Sequence, residues 1–446
     1  MTRSLAELRG VIEDRSAKVG VIGLGYVGLP AACLLAEARF DVTGVDLKAD
    51  RIELINKGIS PIEGDEPGLA ELINGVVSAG RLRASTTYED LAGADVVLIC
   101  VETPVDADHR PRFAALKAAC AALGSVLKDG ALVIVESTIA PETIDGVVRP
   151  ALEASSSKKA GEGFHTGHCP ERVMPGKLLS NMRTVSRVCG GSSPEVAQTM
   201  VALYSSYVGG ELDAADCLTA ELVKTAENAY RDVSIAFANQ LALICEQVGG
   251  DVWRVRELVN KVPGRNVLLP GGGVGGHCIP KDSWLLGSSL GEAADKSLLG
   301  IARRVNDGMP GHVAALVGEL APPRVGARVA VLGFSYLENS DDTRNSPSEA
   351  LSSRLREMGY EVVIHDPFVG MYRGEVTDVL RGSDCAVLMV AHAAYRRLDL
   401  ASVAKLMRHA QLVDARGFFR SGELQGAGFA YRVIGVAPSA GSAPVH

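Results

Sequence analysis

The sequence contains no pair of cysteines at the C-x-x-C spacing that many redox and zinc sites use. Its 9 cysteines are odd in number and widely spaced along 446 residues. Neither a disulfide framework nor a zinc site is therefore indicated. We expect a chain that holds no metal and works in a reducing cytoplasm.

Excess positive charge and long uninterrupted apolar runs are also missing. The net charge of −8 at pH 7 argues against nucleic acid or an anionic membrane as a partner. The apolar run from Val19 to Ala36 approaches the length of a membrane span, but glycines and Pro30 interrupt it. We expect no signal peptide at the N-terminus, because Ser4-Leu5-Ala6-Glu7 is typical of a capping box that opens a charged helix. We predict no nucleic-acid partner and no membrane partner.

The N-terminal region has the pattern of a dinucleotide-binding turn. A short apolar run, Val19–Ile22, precedes Gly23-Leu24-Gly25-Tyr26-Val27-Gly28, and a helical pattern follows. A second strand pattern, Asp41–Val45, ends at Asp46. The order of strand, G-x-G-x-x-G, helix, strand and acid predicts a Rossmann unit. Asp46 would accept hydrogen bonds from ribose hydroxyls and repel a 2′-phosphate, which favours NAD over NADP.

Further apolar runs recur at the spacing of alternating strands and helices. The predicted strands are Ala94–Val101, Ala131–Val135, Val185–Val188, Arg328–Phe334, Glu361–His365, Cys385–Val390 and Gln411–Asp414. Continuous apolar runs of this kind are typical of parallel strands buried on both faces. A long helical pattern runs from Ala214 to Val248, and the Ser/Ala/Pro-rich tail from Ala437 to His446 is predicted to be disordered.

The stretch from Pro270 to Asp282 concentrates flexible and reactive residue types. Five glycines precede Cys278, and a lysine and an aspartate follow it. Glycine lets a backbone pass close to a ligand, so we expect Cys278 on a tight loop at a site. A thiolate beside cations or backbone N–H donors is a good nucleophile, although a cysteine alone is most often a small buried hydrophobe.

Other polar residues lie where an α/β protein binds ligands. Thr103 and Thr138 follow two predicted strands, and ligands of open α/β sheets bind beyond the carboxyl ends of strands. In the long helical pattern Lys224 and Asn228 are spaced i, i+4, and Arg231 follows on the same side. A cation and an amide placed in this way can hold an oxyanion, but the same spacing also suits a solvated helix face.

Together these pieces resemble the nucleotide-sugar 6-dehydrogenases, which form the UDP-glucose/GDP-mannose dehydrogenase family. The similarity covers about residues 17–420. The motifs that carry it are Gly23-Leu24-Gly25-Tyr26-Val27-Gly28-Leu29-Pro30, Glu136-Ser137-Thr138, Cys169-Pro170-Glu171-Arg172, Glu221 to Asp232, Gly275-Gly276-His277-Cys278 and Asp341-Asp342-Thr343-Arg344-x-Ser346-Pro347.

The resemblance implies an α/β fold with two Rossmann-like parallel-sheet domains joined by a central helical domain with a long helix. The expected domains are an NAD-binding domain over residues 1–208, a helical dimerisation domain over 209–320 and a UDP-sugar-binding domain over 321–446. It implies a homodimer through the central helix. It also implies a four-electron oxidation of the sugar C6 alcohol to a carboxylate by two NAD, through a cysteine thiohemiacetal and thioester.

The resemblance also assigns roles to individual residues. The implied catalytic residues are Cys278 as nucleophile, Lys224 and Asn228 as holders of the alkoxide-like oxygen, Asp282 and Glu171 as proton carriers, and Thr138 as the residue that orients water. The implied NAD contacts are Gly23, Gly25, Tyr26, Val27, Gly28, Asp46, Arg51, Thr103, Thr138 and Lys281. The implied UDP-sugar contacts are Glu171, Arg172, Val173, Lys224, Asn228, Arg231, Arg265, Gly275 and Arg344.

The residues after Cys169 favour a 2-acetamido sugar as substrate. UDP-glucose dehydrogenases usually carry a second glutamate where this chain has Pro175, and serine where it has His277. The Cys-Pro-Glu-Arg-Val-x-Pro-Gly-Lys version is similar to the branch that oxidises UDP-N-acetylmannosamine. The pair Lys281-Asp282 is closer to the UDP-glucose type, and Leu337 replaces an expected substrate lysine. UDP-N-acetylmannosamine is the predicted substrate, with UDP-N-acetylglucosamine, UDP-N-acetylgalactosamine and UDP-glucose as alternatives.

Two further functional classes share parts of this pattern. A two-electron dehydrogenase of the β-hydroxyacid type has the Rossmann and helical layout but no catalytic cysteine. A non-catalytic protein that binds nucleotide sugars would bind both ligands without forming NADH. The presence of lysine, asparagine, cysteine and aspartate at all four chemical positions favours the four-electron enzyme.

Overall fold

The structure is a computed structural model that describes residues 3–62, 64 and 66–437. It forms two compact units, one that extends to Glu227 and one that begins at Asn228. The division falls within one 32-residue helix, Cys217–Val248. In the described residues, no helix combines the length and the apolar character that crossing a bilayer requires. The disorder predicted for the tail concerns residues that, after Ala437, lie outside the described part of the chain.

The described part of the first unit contains an eight-stranded sheet in the order β3-β2-β1-β4-β5-β6-β7-β8. Its strands are β1 (Lys18–Ile22), β2 (Asp41–Val45), β3 (Leu82–Ser85), β4 (Val96–Ile99), β5 (Ala131–Val135), β6 (Phe164–His168), β7 (Arg187–Gly191) and β8 (Leu212–Asp216). Neighbouring strands pair in parallel, except that β6 and β7 are antiparallel. Strands β4 and β5 are buried along their whole length, as their continuous apolar sequences predict.

Helices pack on this sheet and supply most of its apolar cover. They are α1 (Leu5–Glu13), α2 (Gly28–Glu37), α3 (Ala49–Asn56), α4 (Leu69–Ser78), α5 (Ala114–Gly124), α6 (Arg149–Ser156), α7 (Leu178–Thr184), α8 (Pro194–Tyr204) and the first part of α9 (Cys217–Val248). The capping box predicted at Ser4 and Glu7 is present at the start of α1. Helix α2 is almost entirely buried, which explains the long apolar run in the sequence.

The described part of the second unit contains a five-stranded parallel sheet in the order β10-β9-β11-β12-β13. Its strands are β9 (Arg328–Leu332), β10 (Glu361–His365), β11 (Cys385–Leu388), β12 (Gln411–Asp414) and β13 (Ala430–Val433). Its helices are the remainder of α9, α10 (Val252–Val259), α11 (Ile279–Gly287), α12 (Leu298–Leu320), α13 (Pro347–Glu357), α14 (Val376–Leu380), α15 (Leu400–Leu406) and α16 (Ser421–Gly426). The predicted fold class is therefore confirmed: two Rossmann-like sheets, with a helical region between them in sequence.

Several predicted strand and helix boundaries were wrong by two or three residues, and two of them lie near the end of the first unit. The strand predicted over Val185–Val188 is β7, which begins at Arg187 and runs antiparallel to β6. The helix predicted from Ala214 begins at Cys217, because the preceding residues form β8. Asp216 Oδ1 accepts a hydrogen bond of 2.8 Å from the Thr219 N–H, so it caps the new helix at this point.

Four strands lack the apolar run that sequence analysis relies on. Strands β3, β8 and β13 lie at sheet edges, and each of them exposes residues to solvent. Strand β6 is buried throughout although its sequence is Phe-His-Thr-Gly-His. Gly167 makes room there for Met200, since a Cβ at this position would lie 2.3 Å from the Met200 sulfur.

Candidate active site

The turn after β1 is shaped by Gly23 and Gly28, at which a side chain would clash with the backbone. Gly23 has φ +88°, and a Cβ there would lie 2.6 Å from the Cys100 carbonyl oxygen. A Cβ on Gly28 would lie 1.9 Å from the Gly23 carbonyl oxygen, so the turn and α2 can approach only without it. A Cβ on Gly25 would meet nothing within 4 Å, which leaves open space above the turn.

The start of α2 is available to an anion. Val27 occupies the N-cap position and makes no side-chain capping bond. The N-terminal N–H groups of a helix are therefore offered toward the open side of the glycine turn. This cradle fits the pyrophosphate of NAD, as the sequence predicts for Gly23, Gly25, Tyr26, Val27 and Gly28.

Asp46, at the end of β2, fixes this turn. Its Oδ2 accepts hydrogen bonds from the Leu24 N–H at 2.8 Å and from Arg51 Nη1 at 2.9 Å. Its Oδ1 accepts one from the Lys48 N–H at 3.0 Å. A carboxylate has about four acceptor positions, so Asp46 retains capacity for a ribose hydroxyl. Arg51, predicted at NAD, is brought to the same site by its ion pair with Asp46.

The loops that follow β4 and β5 are tied to one another. Thr103 is buried, and its hydroxyl donates a hydrogen bond of 2.5 Å to the Thr138 carbonyl oxygen. The Ser137 hydroxyl donates one of 2.5 Å to the Val101 carbonyl oxygen. The structure therefore brings Thr103 and Thr138 together at the carboxyl edge of the sheet, where the sequence predicted them.

Glu171 and Lys224 are buried side chains of opposite charge that influence one another electrostatically within the first unit. Burial raises the pKa of the Glu171 carboxyl, and the nearby Lys224 ammonium opposes that rise. Glu171 Oε2 accepts no hydrogen bond from the residues that the structure describes. A carboxyl with a raised pKa and an open oxygen is suited to carry a proton.

Arg172 is held in place by protein groups. Its Nε donates to Glu227 Oε2 at 3.0 Å, and its Nη2 forms an ion pair with Glu227 Oε1. Its Nη1 donates to the Ser186 carbonyl oxygen at 2.5 Å. Val173, the next residue, packs against the hydrophobic core of this unit. The segment that carries Glu171, Arg172 and Val173 is thus anchored on both its polar and its apolar sides.

In the second unit, the glycine-rich stretch forms a close-fitting loop that leads to Cys278. The Gly276 N–H donates to the Arg344 carbonyl oxygen at 2.9 Å, and Asn345 Nδ2 donates to the Gly276 carbonyl oxygen at 3.1 Å. A Cβ on Gly275 would lie 2.5 Å from the Tyr336 Cβ. Glycine is therefore required at this position because a side chain would displace its neighbours.

Cys278 is exposed and occupies the N-cap position of α11. Its carbonyl oxygen accepts the Asp282 N–H at 2.9 Å, as in the first turn of a helix. Seven of the other cysteines are buried and Cys100 is half-buried. Negative charge on the sulfur is favoured at a helix N-terminus. The predicted nucleophile is therefore accessible to a substrate.

Asp282 is a fully buried carboxylate that organises two of the predicted site residues. Its Oδ2 accepts a hydrogen bond of 2.6 Å from Asn228 Nδ2. Its Oδ1 lies 2.7 Å from Lys281 Nζ. An amide nitrogen carries two hydrogens, so Asn228 keeps one donor for another oxygen. Asp282 fixes the direction of that donor.

The remaining predicted residues of the second unit lie at its surface. Arg231 and Arg265 are exposed. Arg344 forms an ion pair with Asp342, and the hydrogen bond between them raises the pKa of the Arg344 guanidinium. His277 presents part of its ring to solvent. Burial of the rest of the ring lowers the pKa of its imidazole, and the positive charges of Lys281 and Arg344 lower it further.

Sequence reasoning overlooked a buried polar cluster beneath the first site. Glu136 follows β5 and is fully buried, where it accepts a hydrogen bond of 2.7 Å from the Tyr204 hydroxyl. Arg187 Nη1 lies 3.6 Å from Glu136 Oε1. Burial raises the pKa of Glu136. Two features of the sequence could have indicated this cluster. Glu136 directly follows an apolar strand, and Arg187 lies inside a predicted strand.

Three family models match consecutive parts of the chain. The NAD-binding domain of the UDP-glucose/GDP-mannose dehydrogenase family matches residues 17–208. The central domain of that family matches residues 218–308, and its UDP-binding domain matches residues 330–421.

Individual relatives extend this similarity over nearly the whole chain. A UDP-N-acetyl-D-mannosamine dehydrogenase of Pyrococcus horikoshii is 38% identical over 424 residues, which is 94% of this chain and 99% of the relative. Its solved structure superposes with a TM-score of 0.87 at the same coverage. An NDP-N-acetyl-D-galactosaminuronic acid dehydrogenase of Methanosarcina mazei is 37% identical, with 96% and 98% of the two chains covered and a TM-score of 0.85.

Replacement of Asp46 tests the dinucleotide site without a second substrate. Asp46→Asn keeps the shape but removes the anionic acceptor, so we expect NADH to bind about tenfold more weakly while NADPH binding is unchanged or improved. Fluorescence titration of both dinucleotides measures the ratio. Asp50→Asn, at an exposed position nearby, is the matched control. Equal losses for both dinucleotides would contradict the assignment.

Proposed function

The chain belongs to the UDP-glucose/GDP-mannose dehydrogenase family and is an NAD-dependent UDP-sugar dehydrogenase; from this premise we propose that it oxidises UDP-N-acetylmannosamine to UDP-N-acetylmannosaminuronate. The reaction removes four electrons from C6 of the sugar. The observation that carries this proposal is the exposed Cys278 at the start of α11, beside the buried carboxylate Asp282. A two-electron dehydrogenase has no use for such a thiol.

The first oxidation converts the C6 alcohol to an aldehyde. When bound, NAD accepts the hydride of each oxidation. Lys224 and the remaining N–H of Asn228 hold the C6 oxygen as it develops negative charge, because cationic and amide donors stabilise an oxyanion. Asp282 supports this role, since its 2.6 Å hydrogen bond fixes the Asn228 amide.

The second oxidation proceeds on the enzyme. The Cys278 sulfur attacks the aldehyde carbon, and the carbonyl oxygen takes a proton to give a thiohemiacetal. Loss of a second hydride and of the hydroxyl proton gives a thioester. Water then attacks the thioester carbon, the C–S bond breaks, and a carboxylate and the thiol are released. The covalent link prevents loss of the reactive aldehyde.

Two carboxyls can serve these proton transfers. Burial raises the pKa of the Glu171 carboxyl, which suits a group that both takes and returns a proton. Asp282 lies one turn after the nucleophile, on the same helix. Thr138, whose carbonyl oxygen is tied to the Thr103 hydroxyl, is assigned to orient the hydrolytic water.

The choice of sugar is supported by both the sequence and the relatives. The motif from Cys169 to Lys177 has Pro175 in place of a second glutamate, which is typical of enzymes for 2-acetamido sugars. The Pyrococcus and Methanosarcina relatives are named for N-acetylated hexosamine derivatives. UDP-N-acetylmannosamine is favoured because several relatives with that name cover about 94% of the chain.

A panel of nucleotide sugars tests the substrate. We expect kcat/KM for UDP-N-acetylmannosamine to exceed that for UDP-glucose by about 100-fold or more, because a site built to bond the acetamido group leaves its polar groups unpaired with glucose. NADH formation is followed with UDP-N-acetylmannosamine, UDP-N-acetylglucosamine, UDP-N-acetylgalactosamine, UDP-glucose and GDP-mannose. A clear preference for any of the other sugars would reject the proposed substrate, and no NADH from any would reject the proposed function.

We further propose the domain division at 208/209 and 320/321, and a homodimer formed through α9. In the second unit, Tyr230, Phe237 and Ile244 are 76%, 59% and 45% exposed, and their seven-residue spacing places them on one face of α9. Val248, near the same face at the end of the helix, is 75% exposed. A stripe of large apolar side chains on one helix is typical of a helix–helix interface.

A charge in this stripe tests the dimer. We expect the wild-type chain to sediment as a dimer at micromolar concentration, and Phe237→Glu to sediment as a monomer because the carboxylate would be buried without a partner. The control is Val325→Glu, which places the same charge at a fully exposed apolar position outside α9. A monomeric wild-type chain, or a dimeric Phe237→Glu, would contradict the interface.

A further inference from the structure

Glu66 has no role in the site described above, yet its carboxylate joins two loops of the first unit. The Tyr26 hydroxyl donates a hydrogen bond to Glu66 Oε1. The Gly176 N–H donates to the same oxygen at 2.8 Å, and the Leu178 N–H donates to Oε2 at 3.1 Å. One half-buried side chain thus accepts three hydrogen bonds from two separate parts of the chain.

The two loops are predicted to contact different ligands, NAD in one case and the UDP-sugar in the other. Tyr26 lies in the glycine turn between β1 and α2, which is the NAD cradle. Gly176 and Leu178 end the segment that begins with Glu171 and Arg172, and Leu178 is the first residue of α7. Glu66 therefore links the dinucleotide turn to the far end of the segment assigned to the sugar.

Apolar contacts support the same link. Tyr26 and Val173 pack against the hydrophobic cluster that includes the buried side chains of Leu69 and Leu178. Leu69 begins α4, three residues after Glu66. A displacement of the glycine turn would thus disturb both the hydrogen bonds at Glu66 and the packing around Val173.

We propose that Glu66 is a positioning residue that couples dinucleotide binding at the glycine turn to the order of segment 171–178. The meaning of this coupling rests on the proposed function, which assigns that segment to the UDP-sugar. A turn held still by bound dinucleotide keeps the Tyr26 hydroxyl in place, and Glu66 then holds the Gly176 and Leu178 amides. By linkage, the sugar and the dinucleotide strengthen each other's binding to the same extent.

Hydrogen exchange of segment 171–178, with and without NADH, tests the coupling directly. In the wild-type chain NADH should slow exchange of this segment by about fivefold or more. In Tyr26→Phe, which removes one hydroxyl and keeps the ring, and in Glu66→Gln, that slowing should be lost. Glu71→Gln, at an exposed position on α4, is the matched control and should behave as wild type. Saturating NADH is used for each variant, so that weaker binding does not imitate lost coupling.

Each result of this experiment decides the proposal. If Tyr26→Phe and Glu66→Gln both lose the effect of NADH, the coupling is supported. If NADH slows exchange equally in the wild type and in Tyr26→Phe, or does not slow it in the wild type, the coupling is rejected. If Glu66 has only a structural role, exchange will be faster in Glu66→Gln but NADH will still slow it, and this result also rejects the coupling. The exchange experiment contains no sugar, so its result does not depend on which nucleotide sugar the enzyme oxidises. The panel of nucleotide sugars tests the proposed function separately.

Discussion

One carboxylate, placed after the second strand of each Rossmann-like sheet, fastens the turn that follows the first strand. In the first unit Asp46 accepts the Leu24 N–H, and in the second Asp366 accepts the Phe334 and Ser335 N–H groups at 2.7 and 2.9 Å. These turns have positive φ at Gly23 and Gly333, whose own N–H groups still bond the Val45 and His365 carbonyl oxygens, and the chain leaves the strand directly after them. The buried N–H groups need a partner, and the carboxylate provides it.

The two carboxylates, Asp46 and Asp366, differ in their remaining capacity to accept hydrogen bonds. Asp366 also accepts the Phe368 and Val369 N–H groups and the His392 ring. Although burial opposes it, these hydrogen bonds, led by that from His392, lower the pKa of Asp366. Protein donors therefore occupy Asp366 fully, whereas Asp46 accepts three hydrogen bonds within the described part of the chain and can still accept a ribose hydroxyl. The same arrangement of carboxylate and turn leaves room for a dinucleotide in the first unit, whereas in the second unit protein donors fill the carboxylate.

The sequence was sufficient for features that depend on local patterns, and insufficient for those that depend on distant partners. The apolar runs of β1, β4, β5 and β9, and the glycines at the turns, predicted both sheets. The edge strands β3, β8 and β13 and the polar β6 were missed, and the burial of β6 depends on neighbours such as Met200. Likewise, motifs identified Cys278 as a candidate, but nothing in the sequence indicated that Glu66 meets Tyr26 or that Asp282 holds Asn228.

In the proposed mechanism, the Cys278 sulfur carries the half-oxidised sugar. The most direct measurement is the number of NADH formed for each UDP-N-acetylmannosamine consumed, together with mass analysis of the product. We expect two NADH and a carboxylate for the wild type, a loss of turnover of about a thousandfold or more in Cys278→Ser, and little change in the control Cys245→Ser. One NADH with an aldehyde product, or two NADH at an undiminished rate in Cys278→Ser, would contradict this mechanism.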